Sequence, residues 1–374
     1  MNGRAADRSQ TPALIAFGVF ATLVLGISLA LYHLFDFHVF WQASRHVLHG
    51  RSPYPSLARI ADDKRTYYVY PPLVALLTTP LAVLPFPVAG VLFSALLIVC
   101  VPLTLRLLGV TDRACLVVCF VWMTTLQAIA IGTVAPLLAL GVAAAWRYRD
   151  RRGVAALAVA AVVCTKLFLW PLVVWLVATR RLAAAAGAVL GGVLLAFTSW
   201  AAIGFAGLAG YRDLLDRLSA VEGWRAFSLG ALAHGLGLPP AVGLVAVLIV
   251  GGGALAAVFV LARRPEGDRR ALSAAIGAAL ALSPIVWLHY FFLLIVPIGL
   301  ARRTLSRLWL APMLLWWPAP HSAGSPLLIA WILAAAAGIL AATIRASSAA
   351  APRLSPEAVN WDLITSTRDY PAHP

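Results

Sequence analysis

The run TPALIAFGVFATLVLGISLAL, residues 11–31, carries no charged side chain. It opens directly onto YHLFDFHVFW, residues 32–41, where one carboxylate, Asp36, stands among aromatics and histidines. About 20 apolar residues in helical form reach across the hydrocarbon core of a bilayer. No small-residue cleavage site ends the run, so it reads as a retained first transmembrane helix and not as a removed signal peptide. A carboxylate at such a boundary is costly to desolvate unless it is paired or used. Acids are scarce, 14 Asp and Glu in 374 residues, and Asp36 therefore stands out as a candidate general base.

The rest of the chain repeats the apolar theme. It is 62% hydrophobic and 11% charged, with a mean hydropathy of +0.89, which excludes an ordinary soluble domain. The apolar runs show no alternation of period two, so a membrane barrel is excluded as well. The class is all-α: a polytopic helical membrane protein. A net charge of +15 raises the question of nucleic acid, but the arginines sit in short loops between apolar runs, at 147–152, 180–181, 263–270 and 302–307. That is the pattern of cytoplasmic loops facing anionic lipid, and no nucleic-acid partner is expected. The four cysteines, Cys100, Cys115, Cys119 and Cys164, lie in apolar segments and read as packing residues.

With the basic loops as cytoplasmic anchors, a cytoplasmic N-terminus (1–11) precedes a transmembrane domain over 12–345. Residues 346–374, rich in Ser, Ala and Pro, form a disordered cytoplasmic tail. Two polar stretches, 33–70 and 204–239, fall on the outer side. The first contains an amphipathic piece from Val39 to Leu48, stopped by Gly50, that reads as a surface helix. Further spans are expected at 88–105, 114–131, 134–146, 182–203, 241–262, 308–317 and 327–344. The runs 153–179 and 271–300 are interrupted, by Lys166 and Pro171 and by Ser283-Pro284 and His289. The total is roughly ten to thirteen crossings. Residues 71–85, short and bounded by prolines, satisfy the charge rule downstream only if they do not cross.

Several motifs occur in a fixed order. Asp36-Phe37-His38 and Trp41-Gln42-Ala43 come first, then Leu48-His49-Gly50 and Pro53-Tyr54. Tyr70-Pro71-Pro72-Leu73 and Pro80-Leu81-Ala82-Val83-Leu84-Pro85 follow, then Lys166 with Pro171, and finally Ser283-Pro284-Ile285-Val286-Trp287-Leu288-His289. This ordered set resembles glycosyltransferase family 87, the polyprenyl-phosphate-sugar-dependent transferases of the GT-C superfamily. The resemblance implies a GT-C-like helical membrane fold and transfer of a sugar, mannose by family. The donor would be a polyprenyl-phosphate sugar and the acceptor a lipid or glycan, at the extracytoplasmic face of the cell membrane and with no cofactor. Two departures stand out. Gly132-Thr133-Val134-Ala135 replaces the family's Gly-Gln-x-Asn, and His289-Tyr290 replaces its two adjacent histidines.

The chemistry assigns expectations to residues. An acceptor hydroxyl needs a base, and the resemblance gives that role to Asp36; the alternative is a snorkelling carboxylate paired with Arg45 or a histidine. A departing lipid phosphate needs positive charge. Lys166, costly inside an apolar run, is one candidate, and its alternative is a lysine snorkelling to the interface. His289 is placed with Asp36 as catalytic, binding phosphate or orienting the acceptor. Arg45 is a further donor-phosphate candidate, and Tyr70 and Trp287 are candidate sugar-stacking faces. Arg212 and Arg225 are weaker phosphate candidates, while Asp62, Asp63, Asp213 and Asp216 read as solvated loop charges. No Asp-x-Asp motif and no glycine-rich phosphate loop occurs, so no metal site is expected. Two readings compete with the transferase: a transporter or lipid flippase, suggested by the two interrupted runs, and a catalytically silent envelope scaffold. The transferase reading requires Asp36, Lys166 and His289 around one outward-facing cavity. The transporter reading separates the last two from Asp36.

Overall fold

The computed structural model describes residues 33–54, 67–316 and 324–346, together with the isolated positions Val19, Thr22 and Gly26. Those three positions apart, the first span expected over 11–31 lies outside the described residues, as do the loop charges Asp62 and Asp63, the N-terminus and the tail from 347. Among the described residues all regular structure is helical.

Helix α1 (Phe35–Leu48) starts from two left-handed residues, His33 and Leu34, and buries Phe37, Phe40, Ala43 and Ser44 along one stripe. Ser44 Oγ donates to the Ala75 carbonyl of α2 (Pro72–Ala82) at 2.7 Å. Phe37 stacks on Phe93 of α3 (Phe86–Leu108), with ring centroids 4.4 Å apart. At 11 residues α2 rises only about 16 Å, too short to cross a bilayer unaided.

The span expected over 114–131 is two helices, α4 (Arg113–Val121) and α5 (Met123–Ile131), bent by 66° at Trp122. No proline or glycine marks this break. Trp122 takes an extended ψ of 130° because its ring is held elsewhere: Nε1 donates to the Trp309 carbonyl at 3.0 Å and the two indoles stack at 5.9 Å. Helices α6 (Ala135–Arg147), α7 (Arg152–Thr165), α8 (Pro171–Ala178) and α9 (Leu182–Ala202) follow. α7 and α9 meet along small residues: a Cβ at Gly187 would lie 3.0 Å from that of Ala156, and one at Gly191 3.4 Å from that of Ala160. Close backbone approach of this kind suits helices that cannot draw on the hydrophobic effect within lipid.

The second polar stretch folds into α10 (Tyr211–Glu222) and α11 (Leu229–Gly235). Then come α12 (Pro240–Ala262), α13 (Gly267–Leu282), α14 (Ile295–Ala301), α15 (Arg307–Leu310) and α16 (Pro326–Arg345). The span expected over 308–317 is not one helix. It is the short α15 followed by a 3-10 segment, Ala311–Trp316. Among the described residues four helices, α3, α9, α12 and α16, are each long and apolar enough to cross a membrane, and the bent pair α4–α5 makes a fifth. A count of ten to thirteen draws on the shorter apolar helices as well.

The basic loops gather at one end. Asp268 accepts from Arg149 (3.0 Å) and Arg181 (2.7 Å), and Arg181 also reaches Asp150 (2.8 Å). Burial alone would raise the Asp268 carboxyl, but hydrogen bonds from Arg181 and Arg149 outweigh it and hold the group below its usual range. A cavity of about 460 Å³ opens at this end, lined in part by Arg149, Glu266, Arg269 and Arg303.

Candidate functional site

Three interruptions in helical structure meet around Tyr70. The first is the start of α1. Leu34 donates its N–H to the Ala130 carbonyl at 3.2 Å, which docks α1 on the end of α5 and puts Asp36 in the first helical turn, partly buried. Gly132, left-handed at φ +75°, makes this docking possible: a Cβ there would lie 2.6 Å from the Phe37 Cβ.

The second interruption is Lys166. α7 stops at Thr165, Lys166 is extended (φ −147°, ψ 102°), a 3-10 turn covers Leu167–Leu169, and Pro171 starts α8 without needing an N–H. The break turns the ammonium toward two aromatic faces. Lys166 Nζ lies 3.8 Å from the Tyr70 ring centroid and 4.9 Å from that of Tyr290. Such faces stabilise a desolvated cation through the ring quadrupole.

The third lies between α13 and α14. Residues 283–287 leave the helix, and Leu288–Leu294 form a 3-10 segment. The irregular backbone is tied down by Ser283 Oγ donating to the Ile285 carbonyl (2.8 Å) and Phe227 N–H to the Val286 carbonyl (2.7 Å). His289 is 4% exposed, stands edge-on to Tyr290 at 4.5 Å, and neither of its ring nitrogens has a hydrogen-bond partner among the described residues. Buried polar atoms are normally satisfied, so a buried imidazole with both nitrogens open calls for a partner, and a ligand is one.

Asp36 feels Lys166 through space, and both Tyr70 and Tyr290 feel Asp36. The two tyrosine rings face the same ammonium. On α1, outside the spans, burial pushes the Asp36 carboxyl up to about 7 against the opposing pull of Lys166. A partly buried carboxylate poised near neutrality is suited to taking a proton from a hydroxyl.

Asp36, Lys166, His289 and Tyr70 are thus brought together, and the electrostatic partner of Asp36 is Lys166, not Arg45. Arg45 lies nine residues further along α1, about 13 Å up the axis, exposed, with its guanidinium over Trp41 at 4.8 Å. Trp287 is half-buried just ahead of His289, and its carbonyl accepts the Tyr290 N–H at 3.0 Å. Arg212, a weaker phosphate candidate, pairs instead with Asp216 at 3.9 Å on an exposed face. Arg225 packs over Trp224 at 4.7 Å. The 460 Å³ cavity is at the basic end and is lined by none of these residues.

Tyr290, which stands where the family has a second histidine, is a further residue at this place that motif reading does not single out, and its ring is the second face over Lys166.

A family model described as glycosyltransferase family 87 matches residues 68–287. Tyr70, Lys166 and Trp287 fall within it, whereas Asp36 and His289 lie on either side. No curated protein and no solved structure matches the chain. The match covers well over half of a helical membrane protein whose titratable side chains converge at helix breaks, and the chain belongs to glycosyltransferase family 87.

Proposed function

We propose that this glycosyltransferase moves a sugar, mannose first among the candidates, from a polyprenyl-phosphate donor to a lipid or glycan acceptor at the extracytoplasmic face of the cell membrane. The observation that carries the reading is the convergence of Asp36, Lys166 and His289 on the Tyr70–Tyr290 pair. Their closeness favours transfer over transport, which would set Lys166 and His289 apart from Asp36.

The acceptor oxygen attacks the anomeric carbon, its proton passes to the Asp36 carboxylate, and the bond between that carbon and the phosphate oxygen breaks. The lipid phosphate leaves with the electron pair. Lys166, held by its two aromatic faces, offsets the growing charge on that phosphate. His289 has one ring nitrogen free to donate to phosphate or sugar and the other to accept from a hydroxyl. Tyr70 supplies an aromatic face, and Trp287 is a further candidate for stacking a sugar. The basic loops support this orientation: arginine-rich loops stay cytoplasmic, and the Asp36 end would then face out.

The test is sugar transfer from polyprenyl-phosphate mannose to acceptors in membrane extract, wild type against Asp36→Asn at equal expression. Transfer that collapses in the variant supports the reading. Equal transfer in both removes Asp36 from the mechanism, and no transfer in either points to a different donor or to transport.

A further inference from the structure

Residues 67–71 form no helix, and neither Pro71 nor Pro72 has an N–H to offer. This exposes a run of backbone carbonyls next to the site, and each must find a donor. Three consecutive carbonyls do so in the same way. Val69 accepts from the Tyr211 hydroxyl (2.9 Å), Tyr70 from the Tyr54 hydroxyl (2.9 Å) and Pro71 from the Tyr68 hydroxyl (2.6 Å). Tyr68 is local, but Tyr211 comes from the second polar stretch, 142 residues away.

The rings that deliver two of these hydroxyls are locked together. Tyr54 stacks on Trp200 at the end of α9, with centroids 5.2 Å apart and planes within 17°. Tyr211, the first residue of α10, stands edge-on to Tyr54 (5.5 Å) and to Trp200 (5.3 Å). The connecting loop is cut to fit: at Gly207, φ +89°, a Cβ would lie 2.7 Å from the Tyr54 ring.

We propose that Tyr54 and Tyr211 are positioning residues for sugar transfer: with Trp200 they clamp the first polar stretch to the second and set the backbone from which the Tyr70 ring reaches Lys166. The inference rests on the reading that Lys166 serves transfer. Neither tyrosine is placed against substrate. Each acts through the Val69–Tyr70 backbone, and so on the placing of the ammonium that lies 3.8 Å from the Tyr70 ring. If the hydroxyls did no more than satisfy buried carbonyls, removing them would lower stability and leave turnover per folded molecule unchanged.

The experiment compares full-length wild type, Tyr54→Phe, Tyr211→Phe and Lys166→Met in lipid nanodiscs at matched folded protein. Polyprenyl-phosphate mannose is the donor, and hydrogen exchange is read on the peptide covering residues 67–75. Each Phe variant keeps its ring and loses one hydroxyl. We expect kcat to fall about fivefold in each, the effect of one ordinary hydrogen bond, with acceptor KM little changed and exchange at 67–75 faster. Wild-type kcat in both Phe variants while Lys166→Met collapses overturns the clamp and leaves the site intact. Wild-type transfer by Lys166→Met is the separate failure of the site reading. Exchange requires no donor, and unchanged exchange at 67–75 in both Phe variants overturns the clamp by itself.

Discussion

Asp36 is useful as a base only when ionised, and its carboxyl is raised to about 7 because burial penalises the charged form. The sign follows directly: transfer should rise with pH through about 7 and fall about tenfold per unit below it. A pH–rate profile at saturating donor would show this limb, and a profile flat down to pH 5 would exclude Asp36 as the base. Lys166 opposes that rise, so Lys166→Met should move the inflection to higher pH as well as slow transfer, by about 10²–10³-fold if the ammonium stabilises the leaving phosphate. Asp36→Asn should cost about 10²–10⁴-fold above pH 7, where the wild-type carboxylate is ionised, and progressively less below it. Asp36, Lys166, His289 and Tyr70 could be singled out from sequence because each is an ionisable group or aromatic at the edge of an apolar run or interrupting one. Arg45, a charge of the polar stretch, sits apart, stacked on Trp41, because register on a helix decides reach and composition does not.

At the scale of elements, the site depends on where helices stop. The breaks at Lys166 and at Ser283-Pro284 were legible, since a lysine and prolines interrupt apolar runs. The break at Trp122 was not, because its cause is a stacking partner 187 residues away. Tyr54 and Tyr211 were hidden for the same reason. The α1–α5 junction offers a direct check. Gly132→Ala must put a side chain at φ +75° and 2.6 Å from the Phe37 Cβ, for a combined cost of roughly 2–4 kcal/mol. Gly50→Ala faces open space at φ +67° and should cost about 1 kcal/mol. Chemical unfolding in detergent would compare them, and equal losses would show that Phe37 does not depend on the glycine. Gly132→Ala should also lower transfer, since Asp36 is the residue before Phe37.

At the scale of the molecule, charge is sorted by end. The basic end is cross-linked through Asp268, and Asp268→Asn would leave Arg149 and Arg181 partly buried without their shared carboxylate. The expected loss is about 1–3 kcal/mol, between exposed and fully buried pairs, measured as an earlier unfolding midpoint with little change in the pH profile of transfer. Cysteine labelling in intact cells tests the orientation: Arg212→Cys should react with an impermeant reagent and Arg263→Cys only after permeabilisation. The reverse pattern would invert the protein and place the Asp36 site inside. The four long helices, 20 to 23 residues each, carry a further consequence. At 1.5 Å per residue they measure about 30–34 Å, so they match a bilayer of ordinary thickness with little room for tilt. The choice of reconstitution lipid is therefore a variable of the enzyme itself: short-chain bilayers should strain α3 and α12 through hydrophobic mismatch, and acyl-chain length should tune turnover without a single contact to the site being altered.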